Sequence, residues 1–141
     1  MSQNLLELTG VHTHIGAYHI LHGVDLVVPK GQLTMLLGRN GAGKTTTLRT
    51  IMGLWPASQG RVRLGQDDIT AWNTPRIAGL GVAYVPENMG IFADLTVKEN
   101  MLLAARSARR ASDIDDTRLQ WIFSLFPAVE KFWNYPAGKL S

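Results

Sequence analysis

The chain has 141 residues, 45% of them hydrophobic, a formal charge of +3 and no cysteine. That length and apolar content suffice for one domain with a buried core, while the missing cysteine excludes a disulfide framework and any thiolate chemistry. The charge is small and spread out, so no basic stripe points to nucleic acid; Met1-Ser2-Gln3-Asn4 lacks a basic leader, and no apolar run approaches the ~18 residues of a membrane span.

Residues 3–9 and 24–29 alternate apolar and polar side chains, which predicts two half-buried strands set off by Gly10 and Pro29-Lys30-Gly31. They read as an antiparallel flank. The apolar run Gln32-Leu33-Thr34-Met35-Leu36-Leu37 then predicts a buried strand. Directly after it, Gly38-Arg39-Asn40-Gly41-Ala42-Gly43-Lys44-Thr45 fills the pattern G-x-x-x-x-G-K-[ST].

Each part of that pattern answers a need of a polyphosphate. Glycines let successive backbone N–H groups turn toward one anion, the following helix adds the positive end of its dipole, and Lys44 supplies a mobile cation. The Thr45 hydroxyl is then a candidate Mg²⁺ ligand. Lys44 to Leu54 reads as a helix with Leu48, Ile51 and Met52 on one face. Thr45, Thr46 and Thr47 are weak helix formers, so packing and bound phosphate are expected to hold its first turn.

Leu54 to Gly60 breaks the pattern, Arg61-Val62-Arg63-Leu64 reads as a short strand, and Gln66-Asp67-Asp68 as a turn. Pro75 opens a short helix to Leu80, and Val82-Ala83-Tyr84-Val85 before Pro86 predicts a second buried strand. Strand, glycine loop, helix and a further strand imply an α/β core.

The character changes near residue 95. Thr96-Val97-Lys98-Glu99 is a capping box, which predicts a helix through Arg106. A polar link, Ser112 to Asp116, leads to an amphipathic helix carrying Leu119, Ile122, Phe123 and Phe126, which Pro127 ends or bends. No strand candidate appears in 96–141. The expected division is therefore 1–95 as nucleotide-binding core and 96–141 as helical subdomain.

Other candidates carry less. His12, His14, His19 and His22 cluster, and His12 with His14 can share one strand face, but they lack acidic or cysteine neighbours, so surface or strand-edge histidines are favoured over a metal site. Arg106, Arg109 and Arg110 run straight into Asp113, Asp115 and Asp116, which favours a solvated helix end over a nucleic-acid patch. Trp121, Phe123, Phe126, Phe132 and Trp133 read as core packing of the last helices.

Taken together, Gly38–Thr45, the strand ending Tyr84-Val85-Pro86-Glu87, the segment Phe92 to Asn100 and the terminal Leu140-Ser141 resemble an ATP-binding subunit of an ABC transporter. Within that family the chain is most similar to the branched-chain amino acid (Liv-type, LivF-like) subunits, through Leu21-His22-Gly23-Val24, the run Gly38 to Leu54, and Asp68-Ile69-Thr70. The resemblance implies a P-loop NTPase fold, ATP and Mg as cofactors, and ATP hydrolysis coupled to transport. It implies as partners transmembrane permease subunits, a second ATP-binding subunit and, indirectly, a solute-binding protein, at the inner face of the plasma membrane. Carried over by position, Lys44 would hold the β- and γ-phosphates, Thr45 would ligate Mg, and Thr46 would add a donor. Glu87 stands where most of the family has the glutamine of the Q-loop, and Asn88 to Leu95 would face the membrane subunit's coupling helix.

The sequence also departs from the family. Ile15 stands where an aromatic usually stacks on adenine; such stacking is worth ~1–3 kcal/mol and isoleucine offers only apolar contact, so weaker base selectivity is expected, unless Tyr18 substitutes. Leu140 and Ser141 match only the first two positions of the Leu-Ser-Gly-Gly signature, and the apolar strand ending in Asp-Glu and the switch histidine are absent. The expectation is an N-terminal portion, a truncated gene product or gene fragment, that binds nucleotide weakly and hydrolyses it negligibly. A nucleotide kinase or GTPase is the alternative, opposed by the lack of a guanine-reading Asn-Lys-x-Asp and of an arginine-rich lid; an ABC-type ATPase without a permease is another.

Overall fold

The computed structural model describes residues 3–109 and 114–140. They form two compact units, one up to Ile77 and one from Ala78 onward.

The first unit is built on a hairpin, β1 (Asn4–Ile15) and β2 (Tyr18–Pro29), followed by α1 (Lys44–Ile51), β3 (Gln59–Leu64), the two-residue β4 (Asp67–Asp68) and α2 (Thr74–Ala78). The sheet order is β2-β1-β3-β4, antiparallel throughout. The expected flank is thus present, and its strands run well past the alternating stretches into the histidine-bearing hairpin tip. Alternation buries Leu8, Val11 and Thr13 of β1, Leu21 of β2 and Val62 of β3. A register shift between Leu8 and Val11 lets both face inward, because one extra residue reverses the parity. Gly60 permits a close crossing at the β1–β3 pair: its φ is +85° and an added Cβ would lie 2.3 Å from the Gly10 carbonyl oxygen.

α1 docks on this sheet through short side chains. Thr46, Thr47, Thr50 and Ile51 are buried, whereas Leu48, expected on the inner face, is 44% exposed. Threonine suits the contact because it is small and its hydroxyl can be paired. Thr47 Oγ1 donates to the Gly43 carbonyl at 2.7 Å, and Thr50 Oγ1 meets Thr13 Oγ1 at 2.9 Å. Gly53, with φ +72°, stops the helix short of the expected Leu54.

Two sequence expectations are corrected. Gln32 to Leu37 is not a strand: residues 32–39 have no regular structure, and Leu33 and Leu37 are 88% and 80% exposed. Val82 to Val85 likewise has no regular structure, with Val85 87% exposed. An apolar run becomes a strand only when neighbours take its backbone N–H and C=O groups, and among the described residues no strand pairs with either run.

In the second unit α3 (Val97–Arg109), α4 (Asp116–Leu125) and α5 (Pro127–Lys131) are followed by a 3₁₀ turn at Ala137–Lys139. The capping box forms as expected: Thr96 N–H donates to Glu99 Oε2 at 2.7 Å and Glu99 N–H to Thr96 Oγ1 at 3.1 Å. Asn100 then holds the preceding loop, accepting from Phe92 N–H and donating to the carbonyls of Phe92 and Thr96, each at 3.0 Å. Pro127 opens α5 after a break at Phe126, where its missing N–H costs nothing. Thr96 and Pro136 form an isolated antiparallel bridge, while no strand is found among the described residues of 96–141. One expectation shifts here. Of the aromatics expected in the core only Phe123 is buried, edge-on to Trp133 at 5.2 Å; Trp121, off the packed face of α4, is 63% exposed, and Phe126, where the helix breaks, is 58% exposed. Among the described residues no helix is long and apolar enough to cross a membrane.

Candidate phosphate-binding site

The glycine loop ends at Gly43, the residue before α1, with φ 93° and no side-chain cap. The first-turn N–H groups of the helix are therefore left for an external acceptor, at the positive end of its dipole. Packing is close here as well: a Cβ at Gly43 would stand 2.9 Å from Leu21 Cδ2, so the Leu21 side chain would have to shift. The turn is tight, since the Ala42 N–H donates to the Arg39 carbonyl at 3.1 Å and a Cβ on Gly38 would meet Ala42 Cβ at 3.1 Å.

Lys44 bends back over this loop. Its ammonium donates to the Gly38 carbonyl and, at 2.9 Å, to the Arg39 carbonyl. These neutral acceptors satisfy the cation without fixing it as a carboxylate would, so an incoming anion can replace them.

The loop and β2 enclose a cavity of about 340 Å³ lined by Ile20, Arg39, Asn40, Gly41, Gly43, Lys44, Thr45 and Thr46. The lining holds two cations, a helix N-terminus and no carboxylate. Such a wall attracts anions and strengthens their hydrogen bonds to backbone N–H groups. Thr45 is exposed at its edge and Thr46 is buried beneath it. The donor set fits a polyphosphate, and Thr45 is the hydroxyl in the lining that could join a divalent cation bound with it.

Seven of the residues singled out from the sequence thus share one cavity, while Gly38 and Ala42 shape the loop behind it. Ile15 is not in the lining: it is half-buried opposite Tyr18, itself 74% exposed, at the end of the hairpin. Ile20 takes the place at the cavity wall. Sequence reasoning missed it because a register shift between Thr13 and His14 decides which β2 side chains reach the loop, and an irregularity of that kind leaves no periodic signal.

In the second unit Glu87 lies exposed in a turn closed by Met89 N–H to the Pro86 carbonyl at 3.1 Å. Met89 has φ 51°, and Phe92 is 63% exposed, not core. Leu140 is half-buried after the 3₁₀ turn; Ser141 and Arg110 lie outside the described residues. Among the described residues no three His, Asp or Glu side chains are arranged to hold a metal.

Comparison with known proteins matches residues 21–141 to the family described as ABC transporter. A probable branched-chain amino acid transport ATP-binding protein, LivF, of Archaeoglobus fulgidus is 37% identical over 87% of this chain and 51% of its own length. The high-affinity branched-chain amino acid transport ATP-binding protein BraG of Pseudomonas aeruginosa is 32% identical over 97% of this chain and 58% of its own. A ribose import ATP-binding protein, RbsA, of Lactococcus lactis is also 32% identical, over 80% of this chain and 23% of its own. A solved ATP-binding subunit of an ABC transporter superposes with a TM-score of 0.78 at 26% identity, covering 94% of this chain and 54% of that one. The chain thus spans between half and three fifths of the branched-chain relatives it matches.

Proposed function

Because the chain belongs to the ABC transporter family, we propose that it is the phosphate-binding part of an importer's ATP-binding subunit, serving branched-chain amino acids or related amides. The observation that carries this reading is the cavity at the start of α1, whose lining combines two cations with a capless helix N-terminus and has no carboxylate. In it Lys44 leaves the loop carbonyls for the β- and γ-phosphates, and Thr45 and Thr46 add hydroxyl or N–H donors. Mg²⁺ bound with the nucleotide would neutralise part of the phosphate charge, with Thr45 as its protein ligand. Glu87 is assigned to the Q-loop position, the exposed segment through Phe92 to the permease side, and Leu140-Ser141 to the start of the signature. Residues 1–95 then belong to the nucleotide core and 96–141 to a helical subdomain, at the cytoplasmic membrane face. ATP hydrolysis, permease subunits and a second ATP-binding subunit belong to the whole protein of which this chain matches about half.

The ribose importer among the relatives supports a second solute class, a sugar. The amino acid reading is preferred because the branched-chain relatives are matched over more of this chain, 87% and 97% against 80%. Calorimetric titration of the chain with MgATP tests the site: saturable binding that Lys44→Ala weakens supports it, and binding indifferent to that substitution overturns it. Co-purification with a permease, followed by uptake of labelled leucine or ribose, separates the solutes.

A further inference from the structure

The four histidines read from the sequence as a cluster of surface or strand-edge side chains bring their rings together on the solvent face of the hairpin, with His19 at the centre. His12 lies opposite His22 and His14 opposite His19 in the β1–β2 register. Their rings touch: His14 and His19 are 4.2 Å apart and nearly parallel at 11°, His19 and His22 are 3.9 Å apart, and His12 and His19 are 5.1 Å apart. His12 Nδ1 and His19 Nε2 are 3.0 Å apart, a hydrogen bond that needs one of the two nitrogens unprotonated. His14 Nδ1 meets Ser58 Oγ at 2.8 Å, which ties the stack to the start of β3. His19 touches all three of the others.

Three consecutive residues join this stack to the phosphate loop. His19 sits in the stack, Ile20 lines the loop's cavity, and Leu21 is buried against Gly43, the residue that sets the entry to α1. The stack, the cavity wall and the neighbour of the loop's last glycine thus lie on consecutive residues of one strand. The register shift between Thr13 and His14 leaves this tip with fewer ladder bonds to hold it than a regular hairpin has.

We propose that the imidazole stack is a positioning element for the nucleotide site, holding Ile20 and Leu21 against the phosphate loop while neutral and releasing them when it is protonated. The proposal rests on the nucleotide reading above and names a proton as what regulates that site. Like charges on adjoining rings repel, and the groups packed against the rings offer no counter-charge: His19 meets His12, His14 and His22, His14 meets the neutral Ser58, and His12 is paired with the neutral Gln59. Asp25, the acid of β2, is engaged by the Gly10 N–H at 2.7 Å. Loss of water around the ring, then the charges of His22, His14 and His12, hold the His19 pKa below the usual imidazole value, against a hydrogen bond with the Leu21 backbone that acts the other way. His19 therefore takes up its proton only below the usual imidazole value of 6.5, and the disruption is expected on that acidic side.

The test compares the 141-residue chain with His19→Phe, which keeps a ring in the stack but cannot be protonated. MgATP affinity is measured calorimetrically at neutral pH and about two pH units lower, and the Leu21 methyl and Gly43 amide resonances are followed across the same range. Affinity is expected to fall about tenfold on acidification in the unaltered chain and less than about threefold in His19→Phe, whose remaining fall reports the nucleotide's own phosphate and the other rings. The Leu21 and Gly43 resonances should follow the His19 ring titration and lose that dependence in the variant. Equal acid sensitivity of both proteins, or Leu21 and Gly43 resonances that ignore His19, overturns the proposal. If neither protein binds MgATP at any pH, the nucleotide reading fails, while the two resonances still decide whether the stack moves the loop.

Discussion

The hydroxyls of Thr13 and Thr50 meet at 2.9 Å between β1 and α1, with the two side chains 0% and 4% exposed. This is a polar clasp inside the core, and it aligns the helix whose N-terminus faces the phosphate cavity. A buried hydrogen bond contributes about 1 kcal/mol net, whereas a buried hydroxyl left without a partner costs ~1–3 kcal/mol. Thr50→Val should therefore destabilise the chain by ~1–3 kcal/mol, because the Thr13 hydroxyl is orphaned. Thr13→Val/Thr50→Val should cost clearly less than the sum of the single substitutions. Urea unfolding of all four proteins checks this, and strictly additive losses would show that the two hydroxyls act independently.

Gly43 is constrained twice, by φ 93° and by Leu21 Cδ2 at 2.9 Å from where a Cβ would stand. Gly41 is constrained once: its φ is +83° and nothing lies within 4 Å of the added atom. Both alanine substitutions should carry the cost of a left-handed backbone, about 1–2 kcal/mol. Only Gly43→Ala should add a collision and shift the N-terminus of α1, so its melting temperature and its MgATP affinity should fall further than those of Gly41→Ala. Equal losses would mean that Leu21 moves aside freely.

What the sequence disclosed and what it concealed divide along local against long-range interactions. The phosphate loop, the helix after it and the Thr96–Glu99 capping box were legible because their determinants lie within a few residues of one another. The runs around Leu33–Leu37 and Val82–Val85 were misread because apolar composition signals a strand only on the assumption that partner strands lie alongside. Ile20 and the ring-to-ring contacts within the histidine cluster were hidden for a different reason. The bulges of the β1–β2 register choose which side chains share a face, and simple alternation, which sufficed for Leu8 and Val62, loses count at each shift. The aromatic crowd of the last helices was too readily assigned to the core: amphipathic spacing placed Phe123 correctly, whereas Trp121 and Phe126, read as core with it, are exposed.

Lys44 donates to two carbonyls of its own loop and to no carboxylate, so its removal should cost little stability and much binding. Lys44→Ala is expected to lower MgATP affinity by about tenfold or more, as loss of a charge-assisted contact of ~1.5–3 kcal/mol requires, with a melting temperature close to that of the unaltered chain. Affinity of the unaltered chain should also weaken as salt is raised, and more steeply than in the variant, since one phosphate-facing cation has gone. Calorimetry at two salt concentrations reads both effects. A variant that melts far lower would instead make Lys44 a structural clamp of the loop.

Asp68 supplies a second pH dependence, of opposite chemical origin to the histidines. The Thr70 hydroxyl, at 2.5 Å, and the Thr70 N–H, at 3.1 Å, hold its carboxyl below the usual carboxylate value, with Arg61 and Arg63 adding smaller attractions and loss of water opposing. The same Thr70 hydroxyl accepts the Val62 N–H of β3 at 2.9 Å, so the carboxylate orients a group that completes the strand's backbone pairing. A carboxyl whose folded pKa is depressed binds fewer protons folded than unfolded; its stabilisation is fully present above the unfolded value near 3.8 and is lost as pH falls through the lower folded value. Because Asp68 is exposed and its Arg61 contact is 3.4 Å long between half-exposed side chains, solvent screening keeps the effect small. Asp68→Asn should therefore melt slightly below the unaltered chain at pH 6, and the gap should close as both are acidified to about pH 2. A gap that persists unchanged to that pH would assign the stabilisation to the neutral hydrogen bonds with Thr70 and remove the charge from the account.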